Sequence, residues 1–249
     1  MQKVFHKVIK CGNVIEVYKY SERMINKKTA DKGGRKKNGK EGSKERKEEY
    51  QKTVNYRARE KIRRLILSNF DDQSIFLTLT FAENVRDLQR ANKEFKKFIQ
   101  RIRRRQDDFK YVCVIEFQKR GAVHYHLVCN LLKVWTDEEG RKGYSREIAE
   151  IWGNGFCDAR ELTNVDNIGA YVVKYLQKNF KDDRLSGQKR FFYSKGLIQP
   201  EELTLDEGKQ AWVDTLEGEF YPVYSSVYSG FFTGQVEYRE YNLKRGKMV

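Results

Sequence analysis

Apolar positions along the chain change period several times, and each change marks an element. Residues 4–20 (VFHKVIKCGNVIEVYKY) form two β-rich runs around Gly12-Asn13, which predicts a hairpin. From Asn26 to Glu49 no aliphatic or aromatic residue occurs except Ala30, so this stretch reads as a flexible basic linker. Whether its cationic first half touches phosphates or it is only a solvated tether stays open. Tyr50 to Asn69 has helical spacing, with Ile62, Leu65, Ile66 and Asn69 on one stripe and Arg57, Arg59, Arg63 and Arg64 around it.

The alternating run Ser74 to Phe81 (SIFLTLTF) predicts a strand, and Asn84 to Arg105 a long basic helix. Leu88, Ala91, Phe95, Phe98, Ile99 and Ile102 make the apolar stripe of that helix, and four arginines crowd Arg101 to Arg105. Phe109 to Gln118 and Ala122 to Leu132 read as strands joined by a tight hairpin at Lys119-Arg120-Gly121. A short helix over Ser145 to Trp152 ends at Gly153-Asn154-Gly155, followed by a strand at Phe156 to Leu162 and a helix at Asp166 to Asn179.

The order β–α–β–β–α–β–α is that of an α+β sandwich, a central antiparallel sheet with helices packed against it. After Phe180 the pattern weakens into a less regular C-terminal extension. There Lys189 to Pro200 is aromatic and basic, and Phe220 to Tyr241 is rich in Tyr and Phe. These rings are read either as core and edge packing in extra strands or as platforms on which unpaired bases stack. The organisation expected is a hairpin at 1–25, a linker at 26–49, one domain at 50–200, and an extension at 201–249 packed on that domain.

Charge narrows the partners. Fifty Lys and Arg against 35 Asp and Glu leave a net charge of +15 over 249 residues. A polyanion is the natural partner, because cationic contacts to phosphate release counterions. A membrane surface is the competitor, but no amphipathic segment or lipidation signal accompanies the charge. No apolar run approaches the ~18–20 residues that span a bilayer, and Met1 to Lys10 lacks the pattern of a signal peptide. Cys11, Cys113, Cys129 and Cys157 are far apart without CxxC pairing, which points to buried thiols in a cytoplasmic protein.

The sharpest chemical feature is Gly121-Ala122-Val123-His124-Tyr125-His126. Two of the three histidines lie two residues apart in a strand, so their side chains share a face. Two neutral imidazoles side by side make a pair of ligands for a divalent metal; the plainer reading is two edge-strand histidines with no ion. Glu116 on the preceding strand can join them only if the hairpin loop has an odd number of residues. A three-residue loop at Arg120 to Ala122 would set Glu116 opposite His126, and a two-residue turn would send it to the other face.

The second feature is the run Tyr171-Val172-Val173-Lys174-Tyr175-Leu176-Gln177-Lys178. At helical spacing Tyr171 and Tyr175 are neighbours, with Lys174 and Lys178 beside them and Val172, Val173 and Leu176 toward a core. A phenol is a weak nucleophile at its free pKa near ~10, and a metal or a lysine nearby would make its attack on phosphorus feasible. By itself the pattern is equally that of an amphipathic helix coated with Tyr and Lys.

Taken in order, these pieces resemble the HUH endonuclease superfamily, and within it the rolling-circle replication initiators (Rep proteins) of small plasmids and single-stranded DNA phages. Phe76-Leu77-Thr78-Leu79-Thr80-Phe81 is similar to the first motif, Gly121 to His126 to the second, and Tyr171 to Lys178 to the third; Phe191 to Leu197 resembles a segment that follows. The resemblance covers about Ser74 to Pro200.

It implies a ferredoxin-like or RRM-like nuclease fold, with Mg²⁺ or Mn²⁺ held by His124 and His126 and Glu116 as third ligand. It further implies a nucleophilic tyrosine, Tyr171 with Lys174 three residues on, and Tyr175 as an alternate or second nucleophile. The implied activity is nicking of single-stranded DNA at an origin hairpin through a 5′-phosphotyrosine. A host polymerase would extend the free 3′ end, and a host helicase would unwind, since no G-x-x-x-x-G-K-[ST] loop occurs. A relaxase or a single-strand transposase would share the motifs, and a non-catalytic single-strand-binding protein is the rival of another class. Nothing in the sequence addresses the oligomeric state.

Overall fold

A computed structural model describes residues 5–20, 44–131, 146–162, 169, 172–173, 184, 188–204, 207–230 and 234–248. Among them ten strands and four helices form an α+β protein with two antiparallel five-stranded sheets. The chain divides into two compact units, residues 1–54 with 199–249 and residues 55–198.

The second unit carries the predicted β–α–β–β–α–β order as β3 (Ile75–Phe81), α2 (Leu88–Arg103), β4 (Tyr111–Phe117), β5 (Val123–Cys129), α3 (Arg146–Trp152) and β6 (Gly155–Glu161). Its strands lie in the order β6-β3-β5-β4, extended at the edge by β7 (Phe191–Tyr193) beside β4, and every pairing is antiparallel. The strand carrying both histidines, β5, is therefore central rather than at an edge. With β6-β3-β5-β4 joined through two helices on one side, this is the connectivity expected of a ferredoxin-like sheet.

Alternation splits the sheet into two faces. Leu77, Leu79, Cys113, Ile115, Val123, Tyr125 and Leu127 enter the larger core, which α2 and α3 close with Phe95, Phe98, Ile102, Ile151 and Trp152. The stripe read from α2 is the one it buries, and each such side chain contributes roughly 1.5–3 kcal/mol. Asp87 caps α2 by accepting from Gln89 N at 2.8 Å. Arg101, first of the arginine run, donates to the Ile151 carbonyl at 2.5 Å and so caps the C-terminus of α3.

Gly155 is required where β6 leaves α3. At φ +149° a Cβ there would fall 2.3 Å from Ala82 N and 2.5 Å from Thr80 O.

The opposite face is covered over part of its area by α1 (Lys44–Asn69), whose Ile62, Leu65 and Ile66 pack on Phe76, Val112, Val114 and Val128. Its end is clamped by Asn69, which donates to Leu65 O and Ile198 O and accepts from Ile198 N. The helix starts at Lys44 and not at Tyr50: the charged residues before Tyr50 continue the turn, because Lys and Glu are good helix formers even without an apolar stripe.

In the first unit β1 (Phe5–Cys11) and β2 (Val14–Tyr20) form the expected hairpin around Gly12, φ +59°. The segment 201–249 was expected as an extension on the 50–200 domain; its strands pair instead with this hairpin. The order is β8-β1-β2-β10-β9, with β8 at Glu201–Thr204, β9 at Tyr224–Gly230 and β10 at Gly234–Asn242. The reason is edge satisfaction: both outer edges of the β1–β2 hairpin offer unpaired backbone groups, and β8 and β10 take one each. Helix α4 (Glu207–Glu219) closes this core with Val213 and Leu216 against Val8, Ile15 and Val17.

No helix among the described residues is long and apolar enough to cross a membrane.

Candidate metal and nucleic-acid site

The site grows out of three rows that run across the second sheet on the face away from α2. The strand register places Phe156, Thr80, His124 and Glu116 in one row. Asp158, Thr78, His126, Val114 and Phe191 make the next, and Arg160, Phe76, Val128, Val112 and Tyr193 the third. The parity condition on Glu116 is thus met, and it shares the histidine face.

The loop differs from the one expected. Gln118 N donates to Ala122 O at 2.8 Å, which leaves Lys119-Arg120-Gly121 as the three-residue loop, with Gly121 at φ +89°. Glu116 consequently stands opposite His124 and not His126. An apolar Ala122 extends the ladder by one pair, and the glycine supplies the left-handed position that closes it.

Side chains reach across this register. Glu116 Oε2 lies 2.5 Å from His126 Nε2, and Thr78 Oγ1 lies 3.1 Å from His126 Nδ1. Phe76 stacks on the His126 ring with centroids 5.8 Å apart. The two imidazoles have centroids 6.2 Å apart, both are 7% exposed, and His124 Nε2 is buried without a hydrogen-bond partner among the described residues. Burial, then the His126 ring, pulls the His124 pKa down to about 4; Glu116 opposes this and Arg120 adds to it. A neutral imidazole with an unsatisfied nitrogen is a ligand in waiting, since a buried orphan of this kind is costly.

Among the described residues no three His, Cys, Asp or Glu side chains already gather around one point. The donor set nevertheless fits a divalent cation: two imidazoles and a carboxylate on one face, one nitrogen orphaned. In the tautomer where His126 Nδ1–H donates to Thr78, its Nε2 lone pair faces Glu116, and only a positive centre is stable between two such acceptors.

Cations frame the row that holds His124. Arg120 at the hairpin tip donates to Phe81 O at 3.2 Å and to Gln118 Oε1 at 2.7 Å. Arg184 lies over the Phe117 ring at 4.1 Å, and Arg86 and Arg184 both approach Gly121. Phe156, at the other end of the row, is 61% exposed. Arg86, Arg120, Arg184, Thr78, Thr80 and Phe156 were not singled out in the sequence. The threonines had a signal in the alternation of Phe76 to Phe81; the arginines and Phe156 become neighbours only through the sheet.

Tyr171, Lys174 and Tyr175 lie outside the described residues, as does most of the helix expected at 166–179. Gly169, Val172 and Val173 are described: Gly169 packs against Arg63 and Leu67 of α1, and Val172 and Val173 join Phe76, Val114 and Val128 in the apolar layer on the histidine face. Tyr125, between the histidines, points the other way into the core and donates to Asn92 Oδ1 at 2.7 Å. All four cysteines are free and buried, and burial pushes the Cys129 and Cys157 thiols up to about 12.

Comparison with known proteins points to replication. The chain is 28% identical over 141 residues to the Phasyl DNA replicon protein arp of Escherichia coli, a match covering 48% of this chain and 49% of that protein. The chain therefore spans about half the length of that relative. No solved structure matches. Residues 74–180, from the first strand of the histidine sheet through the Tyr171–Lys178 run, match the model of the replication-associated protein ORF2 family, and both matches support a role in replication initiation.

Proposed function

We propose that this chain is a rolling-circle replication initiator, a site-specific single-strand nuclease and strand transferase that acts at a replication origin in the cytoplasm of a bacterial host. The observation that carries the reading is the gathering of Glu116, His124 and His126 on one face of the sheet, inside the segment that matches the replication-associated family.

In this reading Glu116, His124 and His126 hold Mg²⁺ or Mn²⁺, which when bound supplies Lewis-acid polarisation of a phosphate oxygen. Thr78 orients the His126 ring through Nδ1, as outer partners of metal-ligating histidines do. Arg86, Arg120 and Arg184 draw the DNA backbone to the hairpin tip and offset its charge. Phe156 offers an exposed ring on which an unpaired base stacks.

Tyr171 is the nucleophile, with Tyr175 as alternate or second, and Lys174 stabilises the phenolate or the leaving oxygen. The bond from the Tyr171 oxygen to phosphorus forms as the bond from phosphorus to the 3′ oxygen breaks. The phenol loses its proton and the leaving oxygen gains one, so a 5′-phosphotyrosine and a free 3′-OH result. A host polymerase extends that 3′-OH behind a host helicase, and the reverse reaction, or the second tyrosine, closes the displaced circle.

The test incubates the protein and Mn²⁺ with labelled single-stranded DNA from its own replicon and resolves the products on denaturing gels. Wild type should give a covalent adduct that Tyr171→Phe abolishes. Chelator should abolish cleavage while leaving salt-sensitive binding. Binding with no adduct in wild type would leave a non-catalytic single-strand-binding protein. An adduct confined to transfer-origin or transposon-end DNA would make the chain a relaxase or transposase.

A further inference from the structure

Beyond the histidine face, the second unit carries a groove of about 710 Å³ between α2 and the β7 edge. Its rim bears Lys96 and Arg103 from α2 and Lys189 and Arg190 leading into β7; Phe192 and Tyr193 are among its apolar walls. No aspartate or glutamate lines it among the described residues. The volume falls in the ~300–1,000 Å³ range of sites for compact ligands, which admits a nucleotide or two and excludes a duplex.

We propose that this groove binds the flank of the single-stranded DNA whose scissile phosphate lies at the histidines, a proposal that rests on the nicking reading above. Three observations lead there.

First, β7 faces both ways. Phe191 and Tyr193 lie on the histidine face, in the rows of His126 and Val128, while Phe192 turns to the α2 side and packs against Phe95 at 6.0 Å. The His126 row reaches Phe191 across two inter-strand spacings, about 10 Å. A strand leaving the histidines along that row arrives at the sheet edge, and the groove begins there.

Second, the chemistry is that of a polynucleotide. Aromatic walls accept bases of any sequence, and Lys96, Arg103 and Lys189 are exposed cations spaced along the rim for phosphates. Arg190 is anchored by a hydrogen bond to Asn55 Oδ1 at 2.8 Å, so its guanidinium is preorganised rather than swinging in solvent. Lys61, placed over the Tyr193 ring at 5.2 Å, continues the cationic track on the histidine side.

Third, the rival occupant is disfavoured by the edge itself. In the β4–β7 ladder the Arg190 carbonyl accepts from Ile115 N and Ser194 N donates to the Tyr111 carbonyl, so Phe191 and Tyr193 direct their peptide groups outward. A peptide strand could add there, but a three-residue edge strand flanked by Lys189 and Arg190 is short and charged, the usual defence against such pairing. Four cations with no acid among the described lining residues answer to phosphate, not to a neutral backbone.

The experiment uses the full chain in chelator, so that binding is read without cleavage, and two fluorescent oligothymidylates. One is long enough to reach from the histidines into the groove, and the other is too short. The triple variant Lys96→Ser, Arg103→Ser, Lys189→Ser should weaken the long oligomer about tenfold or more. It should also lower the salt slope of binding by about 2, at ~0.7 per phosphate contact, and leave the short oligomer unchanged.

In wild type, 4-thiothymidine placed in the flank should photocrosslink to the peptide that contains Phe192 and Tyr193. Unchanged affinity, equal loss for both oligomers, equal competition by duplex, or crosslinks elsewhere would each overturn the proposal. Unchanged DNA binding would return the edge to a peptide partner. Failure of the adduct assay with the flank effects intact would count against the nicking reading alone.

Discussion

His126 Nε2 lies 2.5 Å from Glu116 Oε2, although the ladder sets Glu116 directly opposite His124. The carboxylate thus reaches diagonally, to a same-face neighbour one rung away, and leaves His124 Nε2 buried and unsatisfied. One histidine is held on both ring nitrogens, by Thr78 and Glu116, while the other is held ready.

Thr78 acts through His126. Thr78→Val keeps the shape and removes the hydroxyl beside Nδ1, so Mn²⁺ affinity should fall about 10–100-fold. Thermal stability should change little. A calorimetric Mn²⁺ titration measures this, and an affinity equal to wild type would end the orienting role.

The depressed pKa of His124, about 4 against an unfolded value near ~6.5, links stability to acid. Between those values the unfolded chain binds a proton that the folded chain refuses. This contribution is therefore complete above ~6.5, declines as pH falls toward about 4, and levels off below it. Urea unfolding in chelator across that range should show a shallower decline in His124→Asn than in wild type. Identical slopes would place the acid sensitivity elsewhere.

Phe156 is exposed on the histidine face, at the end of the row that contains Thr80 and His124. Removing a base-stacking ring costs about 1–3 kcal/mol per base, so Phe156→Ala should weaken single-stranded oligonucleotide binding by roughly 5- to 150-fold. Fluorescence anisotropy reads the change, and the fold should be unaffected because the ring is in solvent. No change in affinity would make Phe156 a bystander.

Gly155 sits where a methyl group would enter the Ala82 and Thr80 backbone. Gly155→Ala should destabilise the protein by roughly 2–4 kcal/mol, from a disfavoured φ together with overpacking. Chemical denaturation measures it, and a loss under ~0.5 kcal/mol would show that the β3–β6 pairing yields easily.

Much of the second unit was legible because local pattern and tertiary demand agree there. The stripe of α2 is what it buries, and the Thr-Leu-Thr alternation of β3 sends leucines to the α2 core and threonines to the histidines. The β1–β2 hairpin was equally plain, its turn being local. Its partners were not. Pairing of β2 with β10 joins residues over two hundred positions apart, such as Tyr20 with Val236, and a β-rich run carries no mark of which edge it will meet.

The amino-acid order alone determined that His124 and His126 share a face, because side-chain direction along a strand has a period of two residues and needs no partner. It also determined that an odd hairpin loop would bring Glu116 to them. Only the tertiary structure decided that the loop is Lys119-Arg120-Gly121, that Glu116 crosses to His126, and that Thr78 and Phe156 complete the rows. Those relations depend on register between strands, set by the sum of long-range packing and hydrogen bonding rather than by any one segment.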